Sequence, residues 1–141
     1  MWGVLNLLIG FALVLEAFWI GMGTTVVMPF IASSYEFEGG PPMSSLSAFL
    51  GYGAGFGVAA LAAVAGSYLI GLLPMFTRLG PWIVLCAAVV HAFIAITAAV
   101  STMASRDASV EGYWSAQIMG IMALLALVSW RQVVHQAARA R

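Results

Sequence analysis

Two side chains in this sequence could carry out acid–base chemistry where few residues can. Glu16 sits among Leu13, Val14, Leu15, Ala17, Phe18 and Trp19, and His91 lies in an equally apolar stretch. A charged carboxylate at membrane depth costs about 3 kcal/mol on insertion scales, so an acid placed there is read first as a functional group. By a 3.6-residue repeat, Glu16 shares a helix face with Ala12, Ile20, Gly23 and Thr24, a narrow small and polar stripe. Counting about 1.5 Å per residue from Trp2 and Trp82, Glu16 lies about 21 Å and His91 about 14 Å above one membrane face. The two could meet through a water or a small shift in register.

Three roles are open for Glu16: a protonated carboxyl bonding a neighbouring helix, an acid exchanging protons with His91 as relay, and an acid facing a cationic substrate or partner. A haem or quinone site near His91 is a further option, although no second intramembrane histidine supplies an opposite axial ligand.

These residues need lipid around them, and the composition supplies the reason. The chain has 141 residues, 63% hydrophobic and 7% charged, with a mean hydropathy of +1.04, values far from those of ordinary soluble domains. All five basic residues are arginine and five acids balance them, so nucleic acid has no basic footprint to bind. Cys86 is the single cysteine, which excludes an internal disulfide, and is expected to be a small buried hydrophobe. No Cys/His cluster has metal-ligand spacing and no cofactor is expected. Nucleophile–base pairs are lacking too, since Asp107 and Glu111 occupy a polar connection, so an enzyme is not expected.

Four apolar runs, at about 2–31, 46–75, 82–104 and 113–130, exceed or approach the ~20 residues that cross a hydrocarbon core. They predict one all-α transmembrane domain over residues 1–141, a four-helix bundle with short loops. The tail 131–141 contains no helix breaker and is expected to prolong helix four into the cytoplasm, with His135 solvated. Met1-Trp2-Gly3-Val4 lacks the basic region of a secretory signal, so the first run is read as a retained helix. Arg78, Arg131, Arg139 and Arg141 against Arg106 predict that both termini are cytoplasmic, and the expected location is a bacterial inner membrane. Trp2, Trp82 and Trp130 then mark the inner helix ends, and Tyr35, Tyr113 and Trp114 the outer ones.

Helix two opens with Gly51-Tyr52-Gly53-Ala54-Gly55-Phe56-Gly57. Phe56 stands where a dinucleotide fingerprint needs its third glycine, and Phe49-Leu50 stands where a potassium filter has Thr-Val. The packing reading fits better. Gly51 and Gly55 share a face with Ala59, Ala62 and Gly66, while Gly53 and Gly57 share another with Ala60, Ser67 and Gly71, which predicts a central helix with two close neighbours. Between helices one and two, Glu36, Phe37 and Glu38 precede Gly39-Gly40-Pro41-Pro42 and form either a docking loop or a turn on the membrane surface.

Glu16 followed by Gly23-Thr24-Thr25 in the first of four helices resembles the small multidrug resistance transporters. The resemblance implies an acid that alternates between a proton and a cationic drug. It covers one helix: seven residues separate Glu16 from Thr24, wider than in that family, the first outer loop is longer, and the later helices carry none of its motifs. The expected function is a small accessory or structural subunit of a larger respiratory or transport complex, packing on partner subunits in the bilayer through its small-residue faces. The alternative is a self-associating, proton-coupled small transporter that uses Glu16.

Overall fold

The computed structural model describes residues 3–37, 45–73, 78–104 and 110–139. Four helices account for nearly all of them: α1 (Val4–Phe37), α2 (Ser45–Leu69), α3 (Gly80–Ala104) and α4 (Val110–Arg139). A chain this apolar meets no water along its length, so each backbone N–H and C=O must be satisfied within its own segment, and helices do that locally. All four contain a stretch long and apolar enough to cross a membrane: Val4–Val26, Leu50–Leu69, Gly80–Ala104 and Tyr113–Gln136.

Two helix ends differ from the expectation. α1 runs through Pro29 to Phe37, so Glu36 and Phe37 belong to its last turn rather than to a loop, while Glu38 lies outside the described residues. Pro29 removes one donor from the ladder, at the Thr25 carbonyl, which a long membrane helix tolerates. α2 stops at Leu69 rather than near 75. There Gly71 takes the left-handed conformation (φ 82°), its N–H bonds the Tyr68 carbonyl at 3.0 Å, and the Leu72 N–H bonds the Ser67 carbonyl at 3.0 Å. This paired cap satisfies orphan carbonyls, and it overrides hydropathy, which continues beyond it. At the other extreme the tail continues α4 as helix to Arg139.

Close approaches set the arrangement. A Cβ on Gly66 would lie 2.6 Å from the Gly10 carbonyl, and one on Gly55 would run into the Thr24 side chain, so α1 and α2 form an antiparallel hairpin in glycine contact. α3 and α4 pack as a second hairpin, with Gly120 against Ala95. The hairpins meet along α2 and α3, and more lightly along α1 and α4. α1 and α3 are therefore diagonal partners across the bundle.

Small and aliphatic side chains fill the centre: Leu13 and Ala17 of α1, Ala62 and Leu69 of α2, Val84 and Ala87 of α3, and Met122 of α4. Large apolar groups point outward instead, Phe93 being 67% exposed, with Phe18, Ile96 and Leu124 similar. Such an outward hydrocarbon coat needs lipid to cover it. Cys86, expected inside, is among the exposed residues, because the buried stripe of α3 runs through Val84, Ala87, Ala88 and His91 and leaves position 86 off it.

Candidate proton-sharing site

One polar contact joins the diagonal helices. His91 Nε2 lies 3.0 Å from Glu16 Oε2, with the His91 side chain wholly buried and that of Glu16 11% exposed. The other ring nitrogen, Nδ1, lies 2.6 Å from the Ala87 carbonyl oxygen one turn earlier in α3. The difference in depth counted along the helices is absorbed by register. α1 is locked to α2 by the Gly10–Gly66 approach, and its tryptophan end need not be level with that of α3.

This geometry fixes the number of protons. A carbonyl oxygen only accepts, so Nδ1 carries a hydrogen and donates it to Ala87. In the neutral ring Nε2 is then a bare acceptor, and its bond to Oε2 needs a protonated Glu16. In the charged ring Nε2–H donates to an ionised Glu16. Both arrangements place one proton between the two groups and leave the pair neutral overall, the condition under which ionisable groups persist at membrane depth. With both nitrogens engaged, His91 could ligate a haem iron only by giving up Glu16 or Ala87.

Glu16 also reaches the surface of the bundle. It lines a groove of about 450 Å³ at the α1–α4 seam, walled by Ala12, Leu15 and Trp19 of α1 and by Ile118 and Met119 of α4. Leu15, Trp19 and Ile118 are largely exposed, so the groove opens on the outer, lipid-coated side. Glu16 Oε1 is buried without a hydrogen-bond partner. The carboxyl group thus has one oxygen tied to the centre and one with spare acceptor capacity.

The remaining residues singled out from sequence lie elsewhere. Thr24 donates its hydroxyl to the Ile20 carbonyl at 2.8 Å and packs on Gly55, apart from the Glu16–His91 contact. Gly51 is half-buried at the start of α2, and Gly55 and Gly66 face α1. Gly53 and Gly57 look into open space, as do Gly21 and Gly23 of α1, so these two glycines of α2 meet no neighbour among the described residues. Glu36 and Phe37 end α1, far along the helix from Glu16. Among the described residues no three His, Cys, Asp or Glu side chains come together.

Sequence reasoning missed the groove residues Trp19, Ile118 and Met119, whose meeting depends on the α1–α4 spacing. It also missed Asn6 and Ser129, both wholly buried, whose side-chain polar atoms have no hydrogen-bond partner among the described residues. Their only signal was a polar type inside an apolar run. The chain matches no protein-family model, no curated protein and no solved structure.

Proposed function

We propose that this chain is a small proton-coupled membrane protein in which Glu16 and His91 form the titrating centre. The observation that carries the reading is the direct Glu16–His91 bond, with Nδ1 committed to Ala87 and a single proton between the partners. Removing that proton sets an ionised Oε2 against the bare lone pair of Nε2, a repulsive contact that cannot be relieved by switching tautomer while Ala87 holds Nδ1. Adding a second proton leaves an uncompensated positive charge in the bundle. Either change loosens the tie between α1 and α3. A proton that comes and goes therefore biases the position of one hairpin against the other, the kind of two-state element a coupled transporter uses.

The test is proton movement into proteoliposomes that enclose a pH-sensitive dye, driven by an imposed pH difference with the membrane potential clamped. The intact chain is expected to move protons, and Glu16→Gln to abolish the movement while the fold survives. Equal rates for the two proteins would end the proposal.

A second reading is favoured by a separate observation. Gly21, Gly23, Gly53 and Gly57 present open small-residue surfaces, and small residues are where membrane helices approach most closely. They support an accessory subunit seated on larger partners, or self-association, in a bacterial inner membrane with both termini in the cytoplasm. Purification in mild detergent separates these cases. Co-purifying subunits identified by mass spectrometry favour the accessory role, and a lone dimer favours the transporter.

A further inference from the structure

The end of the bundle where α2 stops, α3 begins and α4 runs on carries charge of one sign. A Cβ on Gly80 would run into the Tyr68 ring there, so the ends of α2 and α3 meet, and the antiparallel α4 ends beside them. Arg78, Arg131 and Arg139 fall at this end, and Arg141 follows in the sequence. The acids are elsewhere: Glu16 at the centre, Glu36 and Glu111 at the opposite helix ends, and Glu38 and Asp107 in the sequence between those ends. No acid among the described residues pairs with Arg131.

A concave space of about 490 Å³ opens on α4 at this end, bounded among the described residues by Val128, Arg131, Gln132, His135 and Gln136. Arg131, His135 and Gln136 are exposed and Gln132 is half-buried, so their donors are accessible to an occupant. Arg131 adds a permanent charge and a planar fork that matches phosphate oxygens. Ile121, Leu124, Val128, Arg131 and His135 recur at three- and four-residue intervals and are all exposed, so one outward stripe of α4 passes from hydrocarbon to donors. The uncharged run from Gly112 to Trp130 measures about 29 Å of helix, the thickness of a hydrocarbon core, so Arg131 stands at its edge, where head groups lie. The absent acids narrow the head group further. Choline or ethanolamine would bring a cation to an end with no carboxylate to receive it, whereas a phosphodiester of an uncharged alcohol offsets the surplus arginine charge.

We propose that this face of α4 binds an anionic phospholipid, with Arg131 and His135 donating to the phosphate oxygens, Gln132 and Gln136 beside them, and an acyl chain along Val128, Leu124 and Ile121. A free phosphate ester would meet the same donors but leave the apolar stripe uncovered, so the lipid is the occupant the surface fits. The inference is independent of the proton shared by Glu16 and His91.

Native mass spectrometry of the full chain released from detergent micelles, titrated with dioleoyl phosphatidylglycerol or dioleoyl phosphatidylcholine, counts the bound lipid directly. Phosphatidylglycerol is expected to bind roughly fivefold to tenfold more tightly, the scale of one or two basic side chains facing an anionic lipid. Arg131→Gln combined with His135→Gln is expected to remove the preference, and Arg78→Gln, at the same end but off the α4 face, to keep it. Arg131→Gln alone is expected to lower the preference at least twofold, and carries the test if the double variant does not fold. Equal binding of the two lipids to the intact chain overturns the inference, as does a preference that survives in the α4 variants. A loss in Arg78→Gln as large as that in the α4 variants also overturns it, because the attraction would then belong to the whole cationic end. Displacement of phosphatidylglycerol by glycerol 1-phosphate at comparable concentration assigns the donors to free phosphate esters and overturns the lipid.

Discussion

The contact between Glu16 and His91 consists of two side chains with unequal replaceability. Glutamine at position 16 can still donate to Nε2, so Glu16→Gln is expected to change stability by no more than about 1 kcal/mol while removing the exchangeable proton. Leucine at position 91 leaves the carboxyl without its partner in an apolar centre, and His91→Leu is expected to cost about 3 kcal/mol. Unfolding of both variants in mixed micelles under a denaturing detergent measures the difference. A similar loss in both would mean that the pair acts as packing rather than as a proton-sharing bond. The two residues were legible one at a time, because a carboxyl or an imidazole surrounded by leucine, alanine and valine is costly to bury unless something bonds it. Their direct bond was not legible. It depends on the register between diagonal helices, and no residue on α1 encodes the height of α3.

At the scale of the helix, glycine does two different things in α2. Gly66 lets α1 approach until backbones touch, since a Cβ there would lie 2.6 Å from the Gly10 carbonyl, whereas Gly53 and Gly57 meet nothing among the described residues. Gly66→Val is therefore expected to destabilise the α1–α2 hairpin by roughly 1–3 kcal/mol, and Gly57→Val to leave the stability of the isolated chain nearly unchanged. If the open face is a docking surface, Gly57→Val will nevertheless reduce the recovery of whatever co-purifies, which quantitative mass spectrometry of the two preparations reads out. The spacing of these glycines displayed both faces in the sequence, but not which one the chain uses for itself. The end of α2 shows the same limit from another side. Hydropathy runs past Leu69, whereas the single left-handed residue Gly71 closes the helix through two backbone bonds. The glycine was visible, but its conformation is a property of the capped turn rather than of composition. Cys86 is the reverse case, since apolar neighbours in sequence surround it whether it points inward or outward.

Taken whole, the described residues form a pair of hairpins with an apolar exterior and a Glu16–His91 contact across the diagonal. Composition predicted the solvent and four apolar runs predicted four spanning helices, because so few charges and so much hydrocarbon fit lipid rather than water. The α1–α4 groove was invisible at that level: it exists because the two hairpins pack lightly at this seam, and its walls come from residues about a hundred positions apart, such as Trp19 and Ile118. The arginines predict an orientation with both termini in the cytoplasm. In a Cys86→Ala background, His135→Cys on the exposed end of α4 is expected to react with a membrane-impermeant maleimide only from the cytoplasmic side, and Tyr113→Cys only from the opposite side. Reversed labelling would overturn the orientation that the arginines predict.

The shared proton is read most directly by 15N solid-state NMR of the His91 ring in lipid bilayers, assigned by difference from a His91→Leu sample and followed through a pH series. Nδ1 is expected to carry a proton throughout, and the Nε2 signal to move with pH in the intact chain and to cease doing so in Glu16→Gln. A neutral ring protonated on Nε2 with Nδ1 bare, or an Nε2 signal indifferent to Glu16→Gln, would contradict the shared proton.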